Sequence, residues 1–299
     1  EGRQLGYAEE HPFKDLPNDL KTLQPSTFSV NREGTLARKA ELEEIFGDIL
    51  PVRLKNTSMQ WHCTPTAKMI TLMGMEQMLY NLMDYPDEMR QLNEFLVDDV
   101  LNFVRWQERE GLLVLNNDED YVGSGSFGFT DELPTEVSRK SGRVTLKDLW
   151  INMNSQETVG VSPDMFKEFF YPGFERVAKE YGLVYYGCCE PGHDIWDVCL
   201  RNLPNLRKVS ISAWCDEKFM GERLRGDRVI YSRKPSPNFV GVGKFDPAAY
   251  RAHIRATLEA ARGCVVELIH RDVYALDGDR TKPGQAVRIC RELIDECWR

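Results

Sequence analysis

Short apolar runs alternate with longer stretches in which apolar side chains recur at three- and four-residue spacing. The runs are PVRLKNT (51–57), LLVLNND (112–118), LWINMNSQ (149–156), LVYYGCC (183–189), LRKVSIS (206–212), DRVIYS (227–232) and CVVELIH (264–270). Nearly continuous apolar runs that end in polar residues are the pattern of strands buried on both faces of a parallel sheet. The stretches between them read as amphipathic helices at 35–50, 75–83, 86–111, 162–182, 193–203, 216–226, 246–263 and 283–298. In the helix from Pro86, Leu92, Phe95, Leu96 and Val100 share one face, and Gly111 ends it. Ser162-Pro163 is a helix start of the kind a hydroxyl cap and an N1 proline make. The segment 121–143 (YVGSGSFGFTDELPTEVSRKSGR) lacks either period and reads as a long Gly- and Ser-rich functional loop.

Strands that alternate with helices imply βαβ units and an α/β fold. Seven strand candidates favour a closed (β/α)8 TIM barrel over an open sheet. The expected division is an N-terminal extension at 1–48 and the barrel at 49–299. No Gly-x-Gly-x-x-Gly follows a strand, which weakens a dinucleotide site, and Gly-x-Ser-x-Gly and phosphate-loop motifs are absent.

Composition narrows the classes. The chain has 299 residues, 42% of them hydrophobic, and a net charge of -9. That acidity argues against a nucleic-acid surface, and no apolar run reaches the length of a bilayer span. The eight cysteines are irregularly spaced, unlike a disulfide framework, so a reducing, cytoplasmic setting with free thiols is expected.

In a barrel the chemistry gathers at the C-terminal ends of the strands. Those ends carry Asn116, Asn117 and Asp118; Gln156 and Glu157; Cys188, Cys189 and Glu190; Ser212, Trp214 and Cys215; Ser232, Arg233 and Lys234; and His270, Arg271 and Asp272. The adjacent thiols project to opposite faces if the strand continues through them, so one of the two is expected to line the mouth. Along the last strand, two-residue alternation sets Glu267 with Ile269 and opposite His270. Glu190 and Asp118 are candidates for catalysis beside Asp272, and Arg233 and Lys234 for gripping an acidic substrate. Asn117, Tyr121, Trp214 and His193 are candidates for substrate binding. His62 reads more simply as a core or loop histidine.

Several stretches together resemble the uroporphyrinogen decarboxylase superfamily, which includes zinc-dependent methyltransferases that work with corrinoid proteins. They are GMEQMLYNLMDYPDEM and GVSPDMFKEFFYPGFERVAKEYGLVYYGCCEP, with DEDYVGSG, PNLRKVS and SRKPSP in a branch marked by YGCCEP. The resemblance runs from Glu41 to Trp298. It implies a barrel of that type and a methyl transfer between a small substrate and a corrinoid protein, assisted by Zn2+. By that resemblance Cys189 matches the family cysteine, Gly187 stands where the methyltransferases have histidine, and Glu157 lies where a carboxylate could serve. Cys188 is a neighbouring candidate ligand, and the last strand offers Glu267, His270 or Asp272. Zinc suits such donors because thiolates are soft and a catalytic site keeps one position open. The arginine-rich loop of the decarboxylase itself is absent, and the chain starts without methionine, so an N-terminally incomplete barrel is expected. The alternatives are a metal-independent decarboxylase acting on an acidic substrate, and a non-catalytic protein that binds a small molecule or corrinoid.

Overall fold

The computed structural model describes residues 9–55 and 63–298, so His62 and the last two residues of the strand expected at 51–57 lie outside the described residues, and residues 51–55 form no strand. Twelve α-helices occur among the described residues. The first five are α1 (Leu16–Asp19), α2 (Arg32–Phe46), α3 (Pro65–Met73), α4 (Met75–Asp84) and α5 (Pro86–Arg109). Then come α6 (Glu136–Ser141), α7 (Pro163–Phe169), α8 (Tyr171–Ala178) and α9 (Glu217–Leu224). The last three are α10 (Asn238–Gly241), α11 (Pro247–Ala260) and α12 (Lys282–Cys297). None of the described helices is long and apolar enough to cross a membrane.

Five of the seven expected strands form one parallel sheet in chain order: β3 (Trp150–Met153), β4 (Leu183–Tyr186), β5 (Leu206–Ile211), β6 (Ile230–Arg233) and β7 (Val265–Leu268). The earlier pair, β1 (Asp118–Gly123) and β2 (Ser126–Gly128), is a separate antiparallel hairpin. The sheet is shorter at the β3 side than the sequence pattern implies. Residues 112–117 are not a strand; instead the Asn116 side chain mimics one, donating to the Trp150 carbonyl at 2.9 Å and accepting from the Trp150 N–H at 2.8 Å. Further along the same edge Cys63 bridges Met153 in parallel.

Alternation along the strands divides the sheet into two chemically different faces. Ile151, Met153, Val184, Tyr186, Val209, Ile211 and Tyr231 belong to the large core with Phe166, Phe170, Phe174 and Val177 of α7 and α8. At roughly 1.5–3 kcal/mol per fully buried large apolar side chain, this layer is the main stabilising one. The single helix expected at 162–182 is two, because Pro172 has no N–H to bond back to the preceding turn. Ser162 caps the first through the Met165 N–H. Residues 193–203 form turns and a short 3-10 segment (Leu200–Asn202) rather than the expected α-helix.

The opposite face mixes polar side chains with a small apolar cluster of Trp150, Leu183, Tyr185, Val122 and Leu133 and is covered by the β1–β2 hairpin, so part of the expected loop 121–143 is ordered across the sheet. Ser124 and Gly125 form its two-residue turn with φ of 50° and 84°, the paired left-handed conformation that matches strand twist. A side chain on Gly125 would come within 2.7 Å of Ile269, and one on Gly123 within 2.5 Å of Asn152. The hairpin therefore packs backbone-first. Lys208, 2% exposed, reaches it through Ser126 and the Phe127 carbonyl and pairs with Glu267 at 3.2 Å. Trp150 Nε1 donates to the Gly128 carbonyl at 3.0 Å.

Candidate active site at the strand ends

The hairpin-covered face runs up to the C-terminal ends of β4 to β7, where a cavity of about 380 Å³ opens. Its lining includes Cys188, Cys189, Ser212, Trp214, Lys234, Arg271 and Asp272. Each group arrives there for a local reason. Gly187 ends β4 with φ 99°, a left-handed turn that redirects the chain, and a Cβ there would press on Ser210 at 2.9 Å. Ser210 donates to the Cys188 carbonyl at 2.6 Å, and the buried Glu190 carboxylate accepts the Cys188 and Ser155 N–H groups, both at 2.9 Å. The turn that carries the thiols is thus held from two sides.

The thiols themselves are in contact, with their sulfurs 3.7 Å apart. Arg271 donates to Cys188 Sγ at 2.9 Å and to Ser124 Oγ at 2.7 Å, and pairs with Asp272 at 2.8 Å. The Cys189 thiol and the Arg271 guanidinium hold the Cys188 thiol down at about 6, against the upward pull of burial. The same thiol–thiol pairing, with burial, pushes Cys189 up, so the pair carries one negative charge centred on Cys188.

Lys234 supplies the second cation of the cavity. It donates to Tyr185 Oη and to Ser232 Oγ, and burial drags its ammonium down to about 7 despite the favourable Glu267 charge. Glu190 is the opposite case, since burial raises its carboxyl to about 7 even though two backbone N–H groups favour the charged form. The cavity thus gathers a thiol held down, a guanidinium and a lysine whose ammonium is pulled down, with the raised Glu190 carboxyl behind them. Such a cluster in a cleft marks a functional site.

The sequence candidates divide by position. Cys188, Cys189, Lys234, Trp214 and Asp272 come together around the cavity; Glu190 lies behind it and faces Ser155. Arg233 does not. Its side chain points to the helix side, bonded to the Ser212 carbonyl at 2.7 Å and to Glu217 of α9, because neighbours on a strand face opposite ways. His270 is on that side too, bonded to Tyr250 of α11. Glu267 is occupied with Lys208 and Ser126 beneath the hairpin, 2.8 Å from Ser126 Oγ. Glu157 accepts from Thr66 at 2.8 Å, and His193 accepts the Asp216 N–H at 3.3 Å.

Asn117, Asp118 and Tyr121 also lie apart from the cavity. Asn117 donates to the Leu133 carbonyl at 3.1 Å, Asp118 opens β1 in a left-handed conformation, and the Tyr121 hydroxyl accepts from Gly125 N–H at 2.9 Å. Arg271 has the most direct hold on the thiolate and was legible only as a polar strand-end residue. Its partner Ser124 sits in the GSGS turn, where composition signalled a loop and nothing more. Another cavity, about 280 Å³, lies near α11 and α12 and is lined mainly by aliphatic side chains such as Leu258, Leu268, Val287 and Ile294.

The metal-ligand candidates named from sequence therefore do not converge as a set: Cys188, Cys189 and Asp272 line the cavity, whereas Glu157, Glu267 and His270 are held elsewhere. Among the described residues, no three His, Cys, Asp or Glu side chains are grouped so as to hold a metal ion. A resident catalytic zinc needs three protein ligands, and the donor set as placed does not fit one.

No family model matches the chain, and no curated protein matches it. Among solved structures, a methyltransferase from Methanosarcina mazei aligns with a TM-score of 0.47 and 12% identity. The alignment covers 86% of this chain and 63% of that one.

Proposed function

We propose that the chain is an enzyme that transfers a methyl group in the cavity at the ends of β4 to β7, with a small methylated molecule as substrate. The observation that carries this reading is the Cys188 sulfur, which accepts from Arg271 at 2.9 Å and lines the same cavity as Lys234. Five parallel strands in strict chain order are also what an arc of a (β/α)8 barrel contains, and we read the sheet as such an arc. In barrels, strand ends are where reactions take place.

A thiolate is a soft nucleophile, and its ionised form does the work. In the proposed step the Cys188 sulfur attacks the methyl carbon of CH3–X, so that the S–C bond forms as the C–X bond breaks. X leaves with the electron pair and takes a proton from the Lys234 ammonium or from water. A second nucleophile then removes the methyl group, and the thiolate returns to Arg271. The lowered thiol pKa favours that return, because a less basic sulfur is a better leaving group. The acceptor implied by the sequence resemblance is a corrinoid protein. No metal step is part of the reading, since the donor set does not fit one.

The test is to incubate the chain with isotopically labelled methyl donors: alcohols, amines, thioethers and methoxylated acids. The 188–189 peptide is then weighed. The expected result is one added methyl in the wild type and none in Cys188→Ser. A panel that labels neither the peptide nor a supplied corrinoid protein refutes the reading. A second reading, metal-independent decarboxylation of an acidic substrate, draws on Lys234, whose half-neutral amine beside Arg271 suits carboxylate binding and proton transfer. Release of carbon dioxide from an acidic panel, lost in Lys234→Met, favours it.

A further inference from the structure

We propose that Cys188 and Cys189 form a site of reversible oxidation by a small hydroperoxide, in which Cys188 is attacked and Cys189 closes a disulfide with it. The inference uses the thiols of the proposed site but not the transfer reaction. Three features carry it: the sulfurs are 3.7 Å apart, Arg271 holds Cys188 at 2.9 Å, and both residues line the same open cavity. A low-pKa cysteine poised beside a second thiol is the arrangement of redox-responsive sites.

The chemistry balances without further components. The Cys188 thiolate attacks the terminal oxygen of ROOH, the O–O bond breaks, and RO– takes a proton from water to leave as ROH. Cys188 is then a sulfenic acid. The Cys189 sulfur attacks it, losing its proton, and water leaves as the S–S bond forms. Sulfur is oxidised by two electrons and the peroxide is reduced by two. Once Cys188 is a neutral sulfenic acid, the sulfur charge that held the proton on Cys189 is gone, so Cys189 can ionise and attack.

Access sets the class of oxidant. Cys188 is only 2% exposed at the cavity floor, whereas Cys189 is half-buried. Hydrogen peroxide, the smallest hydroperoxide, reaches such a sulfur more readily than a bulky organic one does. Cys63, Cys199 and Cys215 are poor competitors. Burial pushes Cys63 and Cys215 up to about 12 and Cys199 up to about 11, so they stay protonated and slow. Neighbouring Cα atoms lie about 3.8 Å apart, below the usual disulfide span of about 4.4–6.8 Å, so the closed ring is strained and easily reduced.

The experiment treats the wild type, Cys188→Ser and Cys189→Ser with equimolar hydrogen peroxide near pH 7, after dialysis against a chelator. Protein is then denatured, alkylated and digested. In the wild type, the 188–189 peptide is expected to resist alkylation and to recover both sites after dithiothreitol. Cys189→Ser is expected to accumulate a sulfenic acid on Cys188 that dimedone captures. Cys188→Ser is expected to react at least about tenfold more slowly, as a protonated thiol does. Cumene hydroperoxide is expected to act far more slowly than hydrogen peroxide. The proposal is overturned if the wild-type peptide remains fully alkylated, if Cys188→Ser oxidises as fast, or if the disulfide joins two chains. Because the readout is the thiol state, these outcomes are independent of whether methyl transfer occurs.

Discussion

Replacing Arg271 by methionine removes the guanidinium from Cys188 while keeping an unbranched side chain of similar reach. The bond lost is charge-assisted, 2.9 Å from nitrogen to sulfur, and such bonds contribute roughly 1.5–3 kcal/mol. Dividing by 1.36 kcal/mol per pH unit moves the Cys188 midpoint upward by about 1–2 units. From about 6 it should therefore reach ~7–8. The release of Asp272 from its ion pair with Arg271 acts in the same direction, because an uncompensated carboxylate then sits near the sulfur. At pH 7 the thiolate fraction falls from roughly nine tenths to between about one half and one tenth. The assay is the ultraviolet absorbance of thiolate against pH, with Cys188→Ser subtracted in both backgrounds so that tyrosines and other cysteines cancel. It reads a buried sulfur without needing a reagent to reach it. A midpoint that stays put in Arg271→Met refutes the reasoning and leaves the Cys189 thiol as the group that holds the charge. Both the methyl-transfer and peroxide rates should fall with the thiolate fraction.

Three further outcomes follow from the same geometry. Glu190→Gln should lose about 1–3 kcal/mol in urea unfolding, because one of its two accepted N–H groups then faces an amide donor. Glu190 is protonated in the folded chain up to about 7 and ionises earlier when unfolded, so its contribution is complete below the unfolded pKa and declines as pH rises through about 7; the wild type's advantage over the variant should shrink in that direction. Lys208→Met should cost about 3 kcal/mol by stranding the Glu267 carboxylate under the hairpin, and Lys208→Met with Glu267→Gln should recover most of it in a double-mutant cycle. Lys234 has a lowered folded pKa, so the unfolded chain binds more protons between about 7 and 10.5 and stability should rise with pH across that window; Lys234→Met should flatten the rise.

Particular elements show where sequence reasoning reached and where it stopped. The helix expected over 86–111 is α5, Pro86–Arg109, because its apolar stripe and proline start are local signals. The runs at 183–189, 206–212, 227–232 and 264–270 became β4 to β7 for the same reason. Alternation also set Glu267 apart from His270, as the structure has them. Residues 193–203 carry a helical pattern but form turns, and residues 112–117 carry a strand pattern but contribute one side chain to the sheet edge. Local propensity is weak enough for packing to override it in short segments.

The amino-acid sequence by itself determined the α/β class, the parallel strands, and the set of polar groups at their ends, since these depend on periods of two and 3.6 within one segment. Only the tertiary structure decided which face of each strand looks into the cavity. A strand buried on both faces carries no polarity signal to orient it, so Arg233 and Lys234 were equivalent until the helices and the hairpin took opposite sides. The same holds for the partnership of Cys188, Arg271 and Ser124. They lie in three segments far apart in the chain, and the spacing that makes one sulfur anionic exists only once β4, the end of β7 and the hairpin turn have been packed together.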